Sequence, residues 1–253
     1  MDFKTISSEL IHNNISILTL NNPEKYNSLN QLFFTEFENF IDKIEKNNDI
    51  RVLIIKGTNN IFSSGGDLKE MLNFDLNTSQ SMCRRAQADF RKLIELEIPT
   101  IAMIDGLTYG GGFELALHCD IRFCSELAKF QFPETKFGLI PAAGGISLFS
   151  RYFSHADSAY FLFSNEEIPI EKLISRGVIQ KQIENEKLLD FTLDFASKLC
   201  NISKEAIAKC KKIIYYNLFS NINDGMNMET LEFSSLLQYI GKEKIEKLFI
   251  NKK

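Results

Sequence analysis

The stretch Asp105-Gly106-Leu107-Thr108-Tyr109-Gly110-Gly111-Gly112-Phe113-Glu114-Leu115-Ala116-Leu117-His118-Cys119-Asp120 constrains this chain more than any other. It leaves an apolar strand candidate, Pro99 to Ile104, turns at Gly106, and reaches three glycines that open a short helix carrying Glu114. Adjacent glycines let backbone approach a ligand with no side chain between, and the start of a helix leaves N–H groups unpaired and aimed outward. That is an anion site in outline. A carboxylate directly behind it points to acid/base chemistry beside a developing negative charge, the arrangement that makes and quenches an enolate. A GGG run alone is better read as a loose turn before a buried, paired glutamate, so the weight falls on the other motifs.

Around this stretch the chain alternates strand and helix patterns. Ile15 to Leu20 alternates as a strand and ends in the turn Asn21-Asn22-Pro23-Glu24. Ser28 with Gln31 reads as a capping box, followed by Leu32, Phe33, Phe37, Phe40, Ile41 and Ile44 at helical spacing up to about Lys46. Arg51 to Gly57 is a continuous apolar, β-branched run, as expected of a strand buried on both faces, and strand, helix, strand implies a right-handed crossover. The loop Asn60-Ile61-Phe62-Ser63-Ser64-Gly65-Gly66-Asp67 offers a second backbone N–H site and turns helical at Asp67, which is placed to cap. A polar helix is expected over Asn77 to Glu97. Short strands are expected at Ile121 to Cys124 and Lys129 to Phe132. Glu134 follows in a loop leading to Gly144-Gly145, twenty residues after Glu114, a spacing that suits two carboxylates brought together by a helix and a returning strand. Beyond Ile146 the pattern is mostly helical, with a strand expected at Val178 to Ile183 and helices near Lys187 to Leu199, Lys204 to Leu218 and Asp224 to Tyr239.

Composition removes several function classes. The 253 residues are 44% hydrophobic, enough for one large domain or a core with a helical appendage, and a formal net charge of −4 argues against a non-specific nucleic-acid binder. The N-terminal residues show no basic segment leading into an apolar one, and no apolar run approaches the ~18 residues of a membrane span. A cytoplasmic protein without membrane contact is expected. Five scattered cysteines and the separated His12, His118 and His155 form no metal-ligand spacing, so no metal is expected.

Taken together, Asn22-Pro23-Glu24-Lys25-Tyr26-Asn27-Ser28-Leu29, Phe62-Ser63-Ser64-Gly65-Gly66-Asp67, Gly106 to Glu114, and Phe132-Pro133-Glu134 through Gly145 resemble the crotonase family, the enoyl-CoA hydratase/isomerase superfamily. Order and spacing match over nearly the whole chain. The resemblance implies an α/β fold with a stacked ββα spiral core over residues 1–195 and a C-terminal helical lid or trimerisation region over 196–253. It implies an acyl-CoA substrate, hydrated from the 2-enoyl to the 3-hydroxyacyl thioester in fatty acid metabolism by a carbon–oxygen lyase. Coenzyme A would enter only as part of the substrate, with no other cofactor. A homotrimer or a dimer of trimers is expected.

Residue by residue, the resemblance places Ser64 and Gly111 as the N–H donors of an oxyanion hole, and Glu114 and Glu134 as the acid/base pair holding the attacking water. Lys25 and Tyr26 fall where the family touches coenzyme A, and Ser64, Gly65, Gly66, Asp67 and Gly111 line the thioester site. Three departures stand out. Ala142 replaces a common glycine, Ile146-Ser147-Leu148 replaces a polar run, and Gly241 to Lys253 lacks the usual acidic-Glu-Gly stretch and coenzyme-contacting lysine, for which Lys244 or Lys247 would stand in. These departures motivate an alternative enzyme reading, enoyl-CoA isomerisation or hydration of a carrier-protein-bound acyl thioester. A non-catalytic or RNA-binding protein on this fold is a third reading, opposed by the acidic balance and both retained carboxylates.

Overall fold

The computed structural model describes residues 3–250, with side chains up to residue 241. Its elements are β1 (Ile6–Ile11), β2 (Ile15–Leu20), α1 (Gln31–Lys46), β3 (Val52–Lys56), β4 (Ile61–Ser63), α2 (Leu68–Met71), α3 (Leu76–Glu95), β5 (Thr100–Ile104), β6 (Leu107–Tyr109), α4 (Gly111–His118), β7 (Ile121–Cys124), β8 (Lys129–Gln131), α5 (Gly145–Tyr152), α6 (His155–Ser164), α7 (Ile170–Ser175), β9 (Lys181–Gln182), α8 (Asn185–Cys200), α9 (Lys204–Asn217) and α10 (Ile222–Ile250). The strands form two sheets, one ordered β1-β2-β3-β5-β7-β9 and one ordered β4-β6-β8. Only the β1–β2 pair is antiparallel. Successive strand pairs, β3–β4, β5–β6 and β7–β8, therefore place their first member in the large sheet and their second in the small one. Helices return the chain each time, and the result is a stacked ββα spiral.

Period-two alternation divides the large sheet's side chains between two cores. Ile15, Ile17, Val52, Ile54, Ile101, Met103 and Phe123 point to one face and pack with Leu188 and Ala196 of α8. Leu18, Leu20, Leu53, Ile55, Ala102 and Ile104 point to the other, under α1, α3 and α4. Covered on both faces, β2, β3 and β5 read as nearly continuous apolar runs. Because α8 spans residues 185–200 and lies on this sheet, a boundary between residues 195 and 196 falls inside a helix.

Three local expectations are adjusted, and one strand was not expected. Helix α1 is capped by Asn30, whose side chain accepts from the Phe33 N–H, and not by Ser28. The chain ahead of it is wound tightly, with Tyr26 and Asn27 at φ of 53° and 51°, and Leu29 then bridges to Gly66, which leaves Ser28 before the cap. The strand expected over Val178 to Ile183 shrinks to Lys181–Gln182. Val178 and Ile179 are buried in a turn, where the Val178 carbonyl accepts from the guanidinium of the buried Arg122. The polar helix runs Leu76–Glu95 behind an Asp75 cap. Strand β1 has no counterpart in the sequence reading: as an edge strand with four consecutive exposed residues, Ile6-Ser7-Ser8-Glu9-Leu10-Ile11 lacks a clean alternation.

Candidate active site

The Gly110-Gly111-Gly112 run begins α4, and at its first and third glycines the neighbours leave no room for a β-carbon. Gly110 has φ +49°, and a β-carbon on it would lie 2.5 Å from Glu134 Oε1. One on Gly112 would lie 2.6 Å from the Ser63 backbone and side chain. Glycines here thus bring β4, α4 and the Glu134 turn into contact. Gly145 does the same for Glu114, whose Cγ and Oε1 would stand 2.7 Å from an added β-carbon.

Glu114, 3% exposed, lies in the first turn of α4 and turns its carboxylate onto the start of α5. Its Oε1 accepts from Ala143 N at 2.8 Å and Gly145 N at 2.7 Å. Burial nevertheless raises its pKa to about 7 against those N–H donors, which favour the ionised form. Glu134 begins a 3-10 turn, Glu134–Phe137, after β8. Its Oε2 is buried with no hydrogen-bond partner among the described residues. Burial raises this pKa also to about 7, and the nearby Glu114 charge adds to the shift.

An aromatic cluster sets these pieces relative to one another. Phe113, beside Glu114, stacks against Phe132 at 4.9 Å between ring centroids, and Phe132, two residues before Glu134, meets Phe149 of α5 at 5.3 Å. The backbone of α4, the Glu134 turn and α5 are locked through ring contacts worth about 0.5–1.5 kcal/mol each beyond burial. From the opposite side Gln87 of α3 donates to the Ala142 carbonyl at 2.7 Å, steadying the loop that holds Glu114.

The second glycine loop departs from the expectation for Ser64. The Ser64 N–H donates to the Tyr26 carbonyl at 2.9 Å and is therefore not available to a ligand. Gly65, at φ +91°, donates to Ser63 Oγ. The next residue, Gly66, pairs with Leu29 in a pattern that uses its neighbours' groups but leaves its own N–H without an acceptor among the described residues. A β-carbon on Gly111 would lie 3.4 Å from this Gly66 nitrogen, so Gly66 and Gly111 stand side by side on the lining of one cavity. The correction is physical: the loop has one left-handed turn at Gly65, and only the residue after it points inward.

Asp67 caps α2 by accepting from Lys69 N and Glu70 N. Lys25 and Tyr26 sit in the exposed turn whose Tyr26 carbonyl holds Ser64. Asn27, which carried no expected role, is 2% exposed and ties this turn to Asn22 N and the Ile61 carbonyl. The one sequence signal for it is its place inside the turn motif. The departures at Ala142, Ile146 and Leu148 leave the Glu114 cradle whole because that cradle is made of backbone N–H groups; Leu148 is buried in the core and Ile146 packs against it. Lys244 and Lys247 lie outside the described side chains.

A cavity of about 330 Å³ joins all these groups: Ser64, Gly65, Gly66, Gly110, Gly111, Glu114 and Glu134 lie along its wall. Among the described residues no three His, Cys, Asp or Glu side chains gather as a metal site, and no helix is long and apolar enough to cross a membrane.

The stacked ββα spiral is the crotonase fold. The chain belongs to the enoyl-CoA hydratase/isomerase family, whose model matches residues 10–251. It is 27% identical over 243 residues to the short-chain-enoyl-CoA hydratase of Clostridium acetobutylicum, covering 92% of this chain and 93% of that one. It is 28% identical over 221 residues to the probable mitochondrial enoyl-CoA hydratase 2 of Arabidopsis thaliana, covering 87% of this chain and 73% of the relative. Among solved structures, the enoyl-CoA hydratase subunit I of Geobacillus kaustophilus superposes with a TM-score of 0.93 at 25% identity, over 100% of this chain and 97% of that one.

The raised carboxyl pKa values carry a stability consequence. A carboxyl whose folded pKa lies above its unfolded value of 4.5 is neutral in both states at low pH, and the folded state is penalised progressively as pH rises from about 4.5 through about 7. Glu134→Gln removes that penalty. Its stability gain over the parent is expected to grow from pH 5 to pH 8, reaching on the order of 1–3 kcal/mol. Urea unfolding at the two pH values checks this; a gain that shrinks with rising pH contradicts it.

Proposed function

We propose that this protein hydrates a 2-enoyl-CoA thioester to the 3-hydroxyacyl-CoA. The observation that carries the reading is the pairing, on one cavity wall, of two carboxyls with pKa values near 7 and two unpartnered backbone N–H groups. The Gly66 and Gly111 N–H groups would hold the thioester oxygen as it becomes an enolate oxyanion. Glu114, stabilised as an anion by the α5 N–H groups, is suited to take a proton from water as the oxygen adds to the β-carbon. Glu134, with an unpartnered buried oxygen beside the Glu114 charge, is suited to be protonated and to deliver its proton to the α-carbon. The next turnover requires the proton to pass back from Glu114 to Glu134 through solvent or the bound water. Coenzyme A takes part only as the thioester carrier, and the turn at Lys25 and Tyr26, bonded directly to the Ser64 backbone, is its proposed contact.

The α9–α10 region exposes Ile214, Phe219, Ile222, Met226, Leu231 and Phe233, which supports a homo-oligomer built through these helices. Incubating the purified protein with 2-enoyl-CoA and resolving the products is the test of function. Accumulation of 3-hydroxyacyl-CoA is expected, whereas a shifted double bond without water addition, or no turnover, contradicts the proposal.

A further inference from the structure

Resting on the hydratase reading above, the geometry points to an aliphatic acyl group longer than four carbons, with Cys83 and Ala86 of α3 limiting how far it can reach. The cavity runs from an exposed apolar rim to the core. Phe137 and Leu139 at the rim are 55% and 45% exposed, whereas Phe34, Ala86 and Phe90 on the inner side are 5%, 8% and 0% exposed. The reacting groups lie on one wall. Away from them the lining is apolar apart from Glu70 and Ser79, so the space extends beyond what a thioester and a water need.

The cavity of about 330 Å³ includes the mouth through which a thioester would enter, so chain length is decided at its inner lining, where Phe34, Ala86 and Phe90 continue the apolar wall beyond the reacting groups. A four-carbon acyl group would leave the floor bare and forfeit its contacts, because an apolar void too small or too dry for water gives back nothing. Small side chains make this depth. Cys83 and Ala86, three residues apart, share one face of α3, and a large side chain at either would fill the floor.

Each methylene that moves from water onto this floor is worth roughly a fourfold gain in binding. The test compares kcat/KM for four-, six-, eight- and ten-carbon 2-enoyl-CoA thioesters in the parent, Ala86→Phe and Cys83→Leu proteins, with circular dichroism confirming that each variant is folded. The parent is expected to favour eight or ten carbons over four by about tenfold or more, and each folded variant to reduce that ratio by about tenfold. Should Ala86→Phe fail to fold, Cys83→Leu, at a half-buried site, reads the same ratio. A parent that hydrates all four thioesters with a flat or falling dependence on length overturns the inference and leaves the hydratase reading standing. An unchanged ratio in the folded variants overturns the role of the α3 face. Hydration of none of them overturns the hydratase reading and this inference with it.

Discussion

Glu134→Gln is expected to lower kcat for enoyl-CoA hydration by about 10²–10⁴-fold, the range for losing a positioned general acid or base, and Glu114→Gln by a similar factor. Both substitutions keep the side-chain shape. In Glu114→Gln the amide oxygen can still accept from Ala143 N and Gly145 N, so the lost quantity is proton transfer and not the loop. The double variant should fall short of the product of the two losses, because both carboxyls act on one water and one substrate. Steady-state rates for the three variants on one thioester check this. An isomerase needing one proton shuttle would instead leave one single variant close to the parent rate.

Gly111→Val is the second large effect. Gly111 does not need a positive φ, and the nearest atoms to an added β-carbon are Gly66 N at 3.4 Å, Leu29 Cδ1 at 3.5 Å and Gly65 Cα at 3.6 Å. The fold therefore accommodates a side chain with small shifts. The valine methyl groups, however, stand at the stretch of cavity lining that Gly66 and Gly111 share, where the thioester oxygen is to sit. Loss of one such donor is worth about 10²–10³ in kcat, and displacement of the oxygen from both should reach at least that. Thermal melting separates the two consequences: a near-parent melting curve with a lost turnover supports the site, and parent turnover would return the glycine run to a purely structural role.

The carboxylates of the candidate site were legible in sequence because they sit beside residue types that stand out. Three glycines before a carboxylate, and a Pro-Glu after a short strand, mark Glu114 and Glu134 directly. What was not legible depends on backbone direction. Ser64, Gly65 and Gly66 are consecutive, and which N–H faces inward is decided by the positive φ of Gly65 and by the Tyr26 carbonyl, thirty-eight residues away in sequence from Ser64. The Glu114 cradle was hidden for the same reason, since Ala143 and Gly145 act through backbone N–H groups, and the need for a glycine at 145 shows only once Glu114 is packed against it. The fold shows the same division. The doubly buried β3 and β5 announce themselves as apolar runs, whereas edge strand β1 and the two-residue β9 gain their pairing from neighbours and carry little pattern of their own.

The origin of the raised carboxyl pKa values also bears on which glutamate begins as the base. At Glu114 the N–H groups of Ala143 and Gly145 bond Oε1 and favour the anion against burial, while Glu134 has no such donor on its buried Oε2. Both carboxyls are pushed up to about 7, and their apparent pKa values belong to the pair and not to either residue.

The pH dependence of enoyl-CoA hydration by the parent, Glu114→Gln and Glu134→Gln proteins between pH 5 and 9 tests this most directly. The account predicts a bell for the parent with its maximum near pH 7, falling at low pH as Glu114 gains a proton and at high pH as Glu134 loses one. Glu114→Gln should lose the low-pH limb from its residual rate, and Glu134→Gln the high-pH limb. Absence of hydration at every pH, or parent-like rates and profiles in both variants, would contradict the paired-carboxyl mechanism.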